Sequence, residues 1–178
     1  MIALDLSKIR TAHERVERIY PAEALGLSGD DVENEFEIVR PVALAFDIDK
    51  DKRQFRLAGS LQSTLVLRCS RCLEAFELPV SAEFDLHYQP RVVAQASGET
   101  EIQEDDLATA VYDGEEIDLG QLMIEQFYLA LPMKPLCSDE CKGLCPVCGT
   151  NLNRGMCNCH RQWEDPRFAA LRAMKKES

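Results

Sequence analysis

Residues 41–67, PVALAFDIDKDKRQFRLAGSLQSTLVL, decide the fold, because apolar and polar side chains alternate through most of this stretch. Alternation with a period of two places one set of side chains on a single face of a β-strand. The polar run from Asp49 to Arg53 interrupts the pattern and predicts a hairpin turn. We therefore predict two antiparallel strands with these inward positions: Val42, Leu44, Phe46 and Ile48, then Phe55, Leu57, Leu61, Leu65 and Leu67.

The neighbouring stretches extend this pattern into a sheet. FELPVSAEFDLHY, residues 76–88, predicts a further strand, with Pro79 at an edge or a bulge. The opening IALDLSKI, residues 2–9, predicts another strand, and residues 107–119 predict one strand around a turn at Asp113-Gly114. The expected result is a curved antiparallel sheet.

Three helices are predicted from residues that favour a helix N-terminus, namely Thr11, Asp118 and Asp165. The first helix would cover residues 11–20, with Glu14 completing a capping box. The second would cover residues 119–131 and end at Pro132. The predicted fold class is therefore α+β: a curved antiparallel sheet or a partly open barrel with a few helices, plus a C-terminal zinc-knuckle segment.

Composition narrows the class of protein. The chain has 178 residues, of which 46% are hydrophobic, so it can bury a core without disulfide bridges. The chain has 8 cysteines among its 178 residues. This share is well below the roughly 8–10% that is typical of a disulfide-rich scaffold. No apolar run approaches the ~18 residues of a membrane span, and the N-terminus lacks a signal-peptide layout. We expect a soluble cytoplasmic protein without membrane contact, whose cysteines bind metal.

The strongest motif is GLCPVCGTNLNRGMCNCH, residues 143–160. Cys145 and Cys148 form a CPxCG knuckle, in which a tight turn brings both sulfurs to one side, and Cys157 and Cys159 supply a second pair. Four thiolates at about 2.3 Å suit a closed tetrahedral zinc site. His160 is an alternative to Cys159 as the fourth ligand.

The remaining cysteines form two further close pairs, Cys69/Cys72 and Cys137/Cys141. The four pairs can be combined into two four-cysteine sites in three ways. We prefer a site formed by Cys69/Cys72 with Cys137/Cys141 and a second formed by Cys145/Cys148 with Cys157/Cys159. The second site is local in sequence, so closing its loop costs little conformational entropy. Unmetallated thiols, or a redox role for Cys69 and Cys72, are alternatives. The redox role is disfavoured because both flanks read as strand, whereas a redox CxxC opens a helix. We predict two structural zinc ions, and domains over residues 1–136 (β-rich core with acidic loop and helix) and 137–178 (cysteine-rich segment with a helix).

Charge is unevenly distributed within a net charge of -11, which argues against wrapping of a polyanion. Residues 91–131 hold 1 basic and 10 acidic side chains. This stretch either contacts a basic partner or is a loop that increases solubility. Residues 137–178 hold 7 basic and 5 acidic side chains. Several basic side chains are candidate contacts to RNA or to a partner: Arg68, Arg71, Lys142, Arg154, Arg167, Arg172, Lys175 and Lys176. Alternatively, these side chains only neutralise the charge of the metal sites or face solvent.

Three runs resemble the bacterial YceD family, which is described as a large ribosomal RNA accumulation protein with chloroplast relatives. They are LRCSRCLEAFELPV (67–80), LALPMKPLCSDECKGLCPVCGTNLN (129–153) and DPRFAAL (165–171), and the resemblance extends over roughly residues 10–175. It implies a role in making or stabilising large-subunit ribosomal RNA. The matching cysteine positions are Cys69, Cys72, Cys137, Cys141, Cys145, Cys148, Cys157 and Cys159.

Three functions fit these observations. The preferred one is a non-catalytic ribosome-biogenesis factor whose partners are precursor ribosomal RNA, a ribosomal protein or an RNA-processing protein. The alternatives are a zinc-stabilised adaptor unrelated to RNA, and a zinc-dependent nuclease or hydrolase. An enzyme is disfavoured because four-thiolate sites are closed and His13, His87 and His160 form no spaced ligand motif. No small-molecule substrate is expected.

Overall fold

The computed structural model of the protein describes residues 2–25, 35–91 and 109–159. These residues form strands, two short 3-10 helices and one α-helix. The strands are β1 (Ala3–Asp5), β2 (His13–Tyr20), β3 (Phe36–Ile38), β4 (Val42–Asp51), β5 (Gln54–Arg68), β6 (Ala75–Pro90), β7 (Thr109–Tyr112) and β8 (Glu116–Asp118). The 3-10 helices are Leu6–Lys8 and Ala22–Leu25, and the α-helix is α1 (Leu119–Ala130).

The main sheet has six strands in the order β2-β4-β5-β6-β7, with β3 pairing the end of β5 that β4 leaves free. Strands β5 and β6 make the longest antiparallel pair, from Phe55↔Tyr88 to Arg68↔Ala75. Strands β1 and β8 form a separate two-stranded sheet. The described part of the chain is therefore mostly sheet with one α-helix, and its strand order does not close into a barrel.

The predicted hairpin of β4 and β5 is confirmed, with its turn at Lys52 and Arg53. Lys52 adopts a positive φ of 54°, which the tight reversal requires. All nine of the predicted inward side chains are buried, with Leu57, Leu61 and Leu65 at 0% exposure. Each fully buried side chain of this size contributes roughly 1.5–3 kcal/mol through the hydrophobic effect.

Helix α1 covers one part of this core. The Asp118 side chain accepts a hydrogen bond from the Gln121 amide at 3.1 Å, which confirms the predicted N-cap. Met123 and Phe127 are fully buried, and the Phe127 ring meets Phe36 edge-on at 6.1 Å between centroids. The helix thus anchors β3, and its C-terminal end delivers the chain toward the cysteine segment.

Gly59 allows two aromatic rings to meet across the central strand. In the sheet register Gly59 lies between Phe46 on β4 and Phe84 on β6. The two ring centroids are 6.3 Å apart. A Cβ at Gly59 would lie 2.2 Å from the Ala45 carbonyl oxygen, so no other residue fits this position without moving the sheet.

The helix predicted over residues 11–20 is wrong, because residues 13–20 form strand β2. All eight of its residues pair with β4, from His13↔Asp49 to Tyr20↔Val42. The strand satisfies a β4 edge that would otherwise leave backbone groups unpaired, and this tertiary pairing outweighs the local capping signal. Side chains follow the same register: His13 Nδ1 lies 2.8 Å from Asp49 Oδ1, and this hydrogen bond raises the pKa of His13.

The antiparallel prediction also fails at one place, since β7 runs parallel to β6. The Asp113-Gly114 turn separates two strands that belong to different sheets, β7 and β8, where the sequence suggested one strand. A turn motif in the sequence does not show whether the strands on its two sides pair with each other. The opening strand is shorter than predicted, because after β1 the Asp5 side chain accepts from the Ser7 amide and caps a 3-10 turn.

Two of the predicted structural segments lie outside the described part of the chain. They are the helix that begins after Asp165 and most of the acidic loop over residues 90–106. Among the described helices, none has both the length and the apolar character needed to span a membrane.

Replacing Gly59 with Ala should lower the free energy of unfolding by roughly 1–3 kcal/mol, because the added methyl group overpacks a close backbone approach. Urea unfolding followed by circular dichroism measures this change. The control is Ser60→Ala on the opposite face of β5, which should stay within about 0.5 kcal/mol of the parent. Equal stabilities of the two variants would contradict the packing described for Gly59.

Candidate metal centres

The first cysteine cluster joins the turn between β5 and β6 to the segment after α1. Cys69 directly follows β5, and its amide donates to the Glu74 carbonyl at 2.9 Å, so the strand pair ends in a tight turn. The Ser70 amide donates to the Pro135 carbonyl at 2.9 Å, which brings the later segment alongside. As a result, four sulfurs lie within 4.8 Å of one another, those of Cys69, Cys72, Cys137 and Cys141.

The geometry of this cluster fits a tetrahedral ion. Four sulfurs bound at about 2.3 Å around one tetrahedral centre lie about 3.8 Å apart. The Cys69–Cys141 sulfurs are 3.8 Å apart, and the Cys72–Cys137 sulfurs are 3.7 Å apart. These distances are far longer than the ~2.05 Å of a disulfide bond. An all-sulfur tetrahedral donor set is of the type that binds zinc or an iron–sulfur centre.

The second cluster is local in sequence. The sulfurs of Cys145, Cys148, Cys157 and Cys159 also lie within 4.8 Å of one another. Two polar groups contact its first pair: the Val147 amide donates to Cys145 Sγ at 3.4 Å, and the Thr150 hydroxyl lies 3.1 Å from Cys148 Sγ. The structure thus brings together the same two sets of four that the sequence favoured, whereas His160 lies outside the described residues.

The two CxxC turns share one backbone geometry. The Gly149 amide donates to the Cys145 carbonyl at 2.9 Å, and the Leu73 amide donates to the Cys69 carbonyl at the same distance. Both donors have positive φ, 73° at Gly149 and 61° at Leu73. The second turn follows the sequence signal of a glycine. The first places a leucine in a conformation that L-residues rarely adopt, and no sequence signal marked it.

Thiol acidity differs within each cluster. Burial acts to raise the pKa of Cys69, but backbone amides of Cys137, Cys72 and Arg71 together lower it to about 6. The Thr150 hydroxyl lowers the pKa of Cys148 to about 6. By contrast, desolvation of the sulfur and the neighbouring thiols of Cys141, Cys69 and Cys72 together raise the pKa of Cys137 to about 12. The pKa is lowered for two thiols in each cluster, Cys69 and Cys141 in the first and Cys145 and Cys148 in the second. Four neighbouring thiolates would need a cation to offset their repulsion.

The predicted basic contacts fall into three groups: two with partners inside the chain, two that are exposed, and four outside the described residues. The Arg71 guanidinium donates to the Asp139 and Cys141 carbonyls, each at 2.9 Å, and so braces the first cluster. Arg154 forms an ion pair with Glu74 at 2.6 Å. Arg68 and Lys142 are exposed. The other four, Arg167, Arg172, Lys175 and Lys176, lie outside the described residues.

The two clusters also contact each other through the backbone. The Leu144 amide donates to the Arg71 carbonyl at 3.2 Å, and the Leu152 amide donates to the Gly143 carbonyl at 2.9 Å. A bridge between Leu144 and Asn151 closes the loop that carries the second cluster. The segment between Cys141 and Cys145 therefore lies between the first turn and the second loop.

The fold and these clusters define a class: a sheet protein with two four-cysteine clusters that could each hold a metal ion. The chain belongs to the YceD family, whose model is described as "Large ribosomal RNA subunit accumulation protein YceD" and matches residues 57–175. That range contains all eight cysteines.

Relatives come from plants and bacteria. The chain is 25% identical over 177 residues to "Large ribosomal RNA subunit accumulation protein YCED homolog 1, chloroplastic" of Arabidopsis thaliana, covering 88% of this chain and 55% of the relative. The protein of the same name in Zea mays is 29% identical over 163 residues, covering 78% of this chain and 55% of the relative. An uncharacterised Mycobacterium tuberculosis protein is 35% identical over 115 residues, covering 65% of this chain and 53% of the relative.

The chain thus spans about half the length of the curated relatives it matches. No solved structure matches it significantly.

Two glycines with positive φ should respond differently to alanine. A Cβ at Gly149 would meet nothing within 4 Å, whereas one at Gly143 would lie 2.9 Å from the Arg71 carbonyl oxygen. Gly149→Ala should therefore lower the free energy of unfolding only by the backbone strain of about 1–2 kcal/mol. Gly143→Ala should lower it further, by roughly 1–3 kcal/mol of overpacking. Urea unfolding of the two variants measures both effects, and a larger effect at Gly149 would contradict this placement.

Proposed function

We propose that the protein is a non-catalytic factor that supports the synthesis, processing or accumulation of large-subunit ribosomal RNA, stabilised by two structural zinc ions. The observation that carries the proposal is the pair of four-cysteine clusters in a chain of the YceD family. The printed names of the plant relatives support the ribosomal RNA role. The clusters support the metal.

The eight cysteines are the proposed zinc ligands, four to each ion. Four thiolates fill the coordination positions of a tetrahedral zinc, so neither site would keep an open position for water or substrate. Cys69 is fully buried and Cys72 is 3% exposed, which further favours a structural role. When bound, the ions would supply cross-links between segments, and the chain's own side chains would make any contact with a partner.

The proposed partners are precursor ribosomal RNA, a ribosomal protein or an RNA-processing protein. Arg68 and Lys142 support direct contact with RNA, since both are exposed beside the first cluster. The acidic residues around β8 and α1 support contact with a basic protein instead: Asp113, Glu115, Glu116, Asp118 and Glu125. We also propose that the protein is cytoplasmic and that it has two domains, over residues 1–136 and 137–178.

Purified protein should contain two zinc ions per chain by elemental analysis, because each cluster offers a complete ligand set. Cys145→Ser/Cys148→Ser should retain one ion, and so should Cys69→Ser/Cys72→Ser. The second pair of changes should lower the thermal midpoint more, since it releases the connection between the sheet and the later segment. One ion or none in the parent protein would contradict the two-zinc proposal.

Crosslinking in cells that produce the protein should recover precursor ribosomal RNA or a ribosomal protein. Arg68→Glu/Lys142→Glu should reduce recovery of RNA without sequence preference, because side chains that meet phosphates contribute electrostatic binding. Lys52→Glu, on the β4–β5 turn, is the matched control. Unchanged RNA recovery with Arg68→Glu/Lys142→Glu would exclude direct contact at these residues, and recovery of neither partner would contradict the proposed function.

A further inference from the structure

Asn153 belongs by sequence to the second cluster but contacts the first. It lies in the loop between Cys148 and Cys157. Its side-chain nitrogen Nδ2 is nevertheless 3.2 Å from Cys141 Sγ, a sulfur of the first cluster. Its side-chain oxygen Oδ1 accepts a hydrogen bond from the Lys142 amide at 2.8 Å.

The orientation of this amide group follows from its second partner. A backbone N–H can only donate, so the atom of Asn153 that faces the Lys142 amide must be the oxygen. The nitrogen is then left facing Cys141, and its N–H group points at the sulfur. Cys141 is 5% exposed, so this sulfur has little contact with water and depends on protein donors.

The position of Asn153 is set by the second loop. Its own amide donates to Asn151 Oδ1 at 2.9 Å, and the adjacent Leu152 amide donates to the Gly143 carbonyl at 2.9 Å. The Cys145 amide donates to the Thr150 carbonyl at 2.8 Å, at the base of the same loop. Ordering the second cluster therefore places the Asn153 side chain at the first.

We propose that Asn153 is a positioning residue of the first metal centre, and that the two centres load as a coupled pair through it. The inference rests on the proposed zinc binding. A donor to a metal-bound sulfur holds the ligand in place, and loss of such a partner typically weakens metal binding by about 10- to 100-fold. Because coupling of this kind is reciprocal, occupation of either centre favours occupation of the other.

Two substitutions separate the N–H···S contact from the general order of the loop. Asn153→Asp keeps an oxygen that can accept from Lys142 but presents no N–H to Cys141. Asn153→Ala removes both contacts. Met156→Ala, at a side chain that is 98% exposed in the same loop, is the control.

The measurement is a chelator challenge of the zinc-loaded full chain in the presence of a thiol-alkylating reagent, with the rate read at each cysteine by peptide mass spectrometry. We expect both Asn153 variants to speed alkylation of the first-cluster cysteines by about tenfold or more. The second-cluster rates should rise as well, because the loss of a reciprocal coupling weakens metal binding at both centres. Met156→Ala should match the parent at both clusters.

The outcomes separate this inference from the function on which it rests. If Asn153→Asp behaves like the parent while Asn153→Ala does not, the contact with Lys142 is what matters and the positioning role is wrong. If both variants behave like the parent, the inference also fails although zinc binding stands. If the parent's cysteines react equally fast without chelator, zinc binding itself is wrong.

The coupling is tested by a double-mutant cycle. Cys145→Ser/Cys148→Ser should speed alkylation of the first cluster in the parent background, because the loop that carries Asn153 is then less ordered. The same change should have little further effect when Asn153 is already Ala. Independent, multiplicative effects on the rate would overturn the coupling.

Discussion

The five-residue turn from Cys69 to Leu73 is the connection on which the cysteine-bearing segment depends. Its thiols face those of Cys137 and Cys141, while the Arg71 side chain and carbonyl hold the backbone on both sides of Cys141. The turn is itself the end of the longest strand pair in the main sheet. Strands β5 and β6 thereby hold in place the segment from Cys137 to Cys159, which has little regular secondary structure among its described residues.

Electrostatics explains why this junction is built from so many donors. Four sulfurs within 4.8 Å repel one another once more than one of them ionises. Backbone amides and the Asn153 side chain offset part of that charge. Arg71 instead directs its guanidinium to carbonyls. A residue that looks in sequence like a basic contact for RNA therefore stabilises the turn from within the chain.

Much of the fold follows from local patterns. The alternation over β4, β5 and β6 and the Asp118 cap could be predicted, because burial and capping act on neighbouring residues. Strand β2 and the parallel pairing of β7 could not, since both depend on which strand edge is left open elsewhere. The same limit applies at the clusters: spacing indicates which cysteines pair, but the roles of Arg71 and Asn153 rest on tertiary contacts. For Asn153, the sequence shows only that an asparagine lies between the Cys145/Cys148 pair and the Cys157/Cys159 pair.

The two clusters also differ in when they can form as the chain is made. Cys69 and Cys141 are 72 positions apart, whereas the second cluster lies within residues 145–159. Translation at about 5–20 residues per second leaves the β5–β6 turn without its partner sulfurs for several seconds. During that interval the nascent sheet carries two neighbouring thiols that are open to oxidants and to competing metals. With zinc bound as proposed, correct assembly would depend on the reducing state and metal supply of the place where the protein is synthesised.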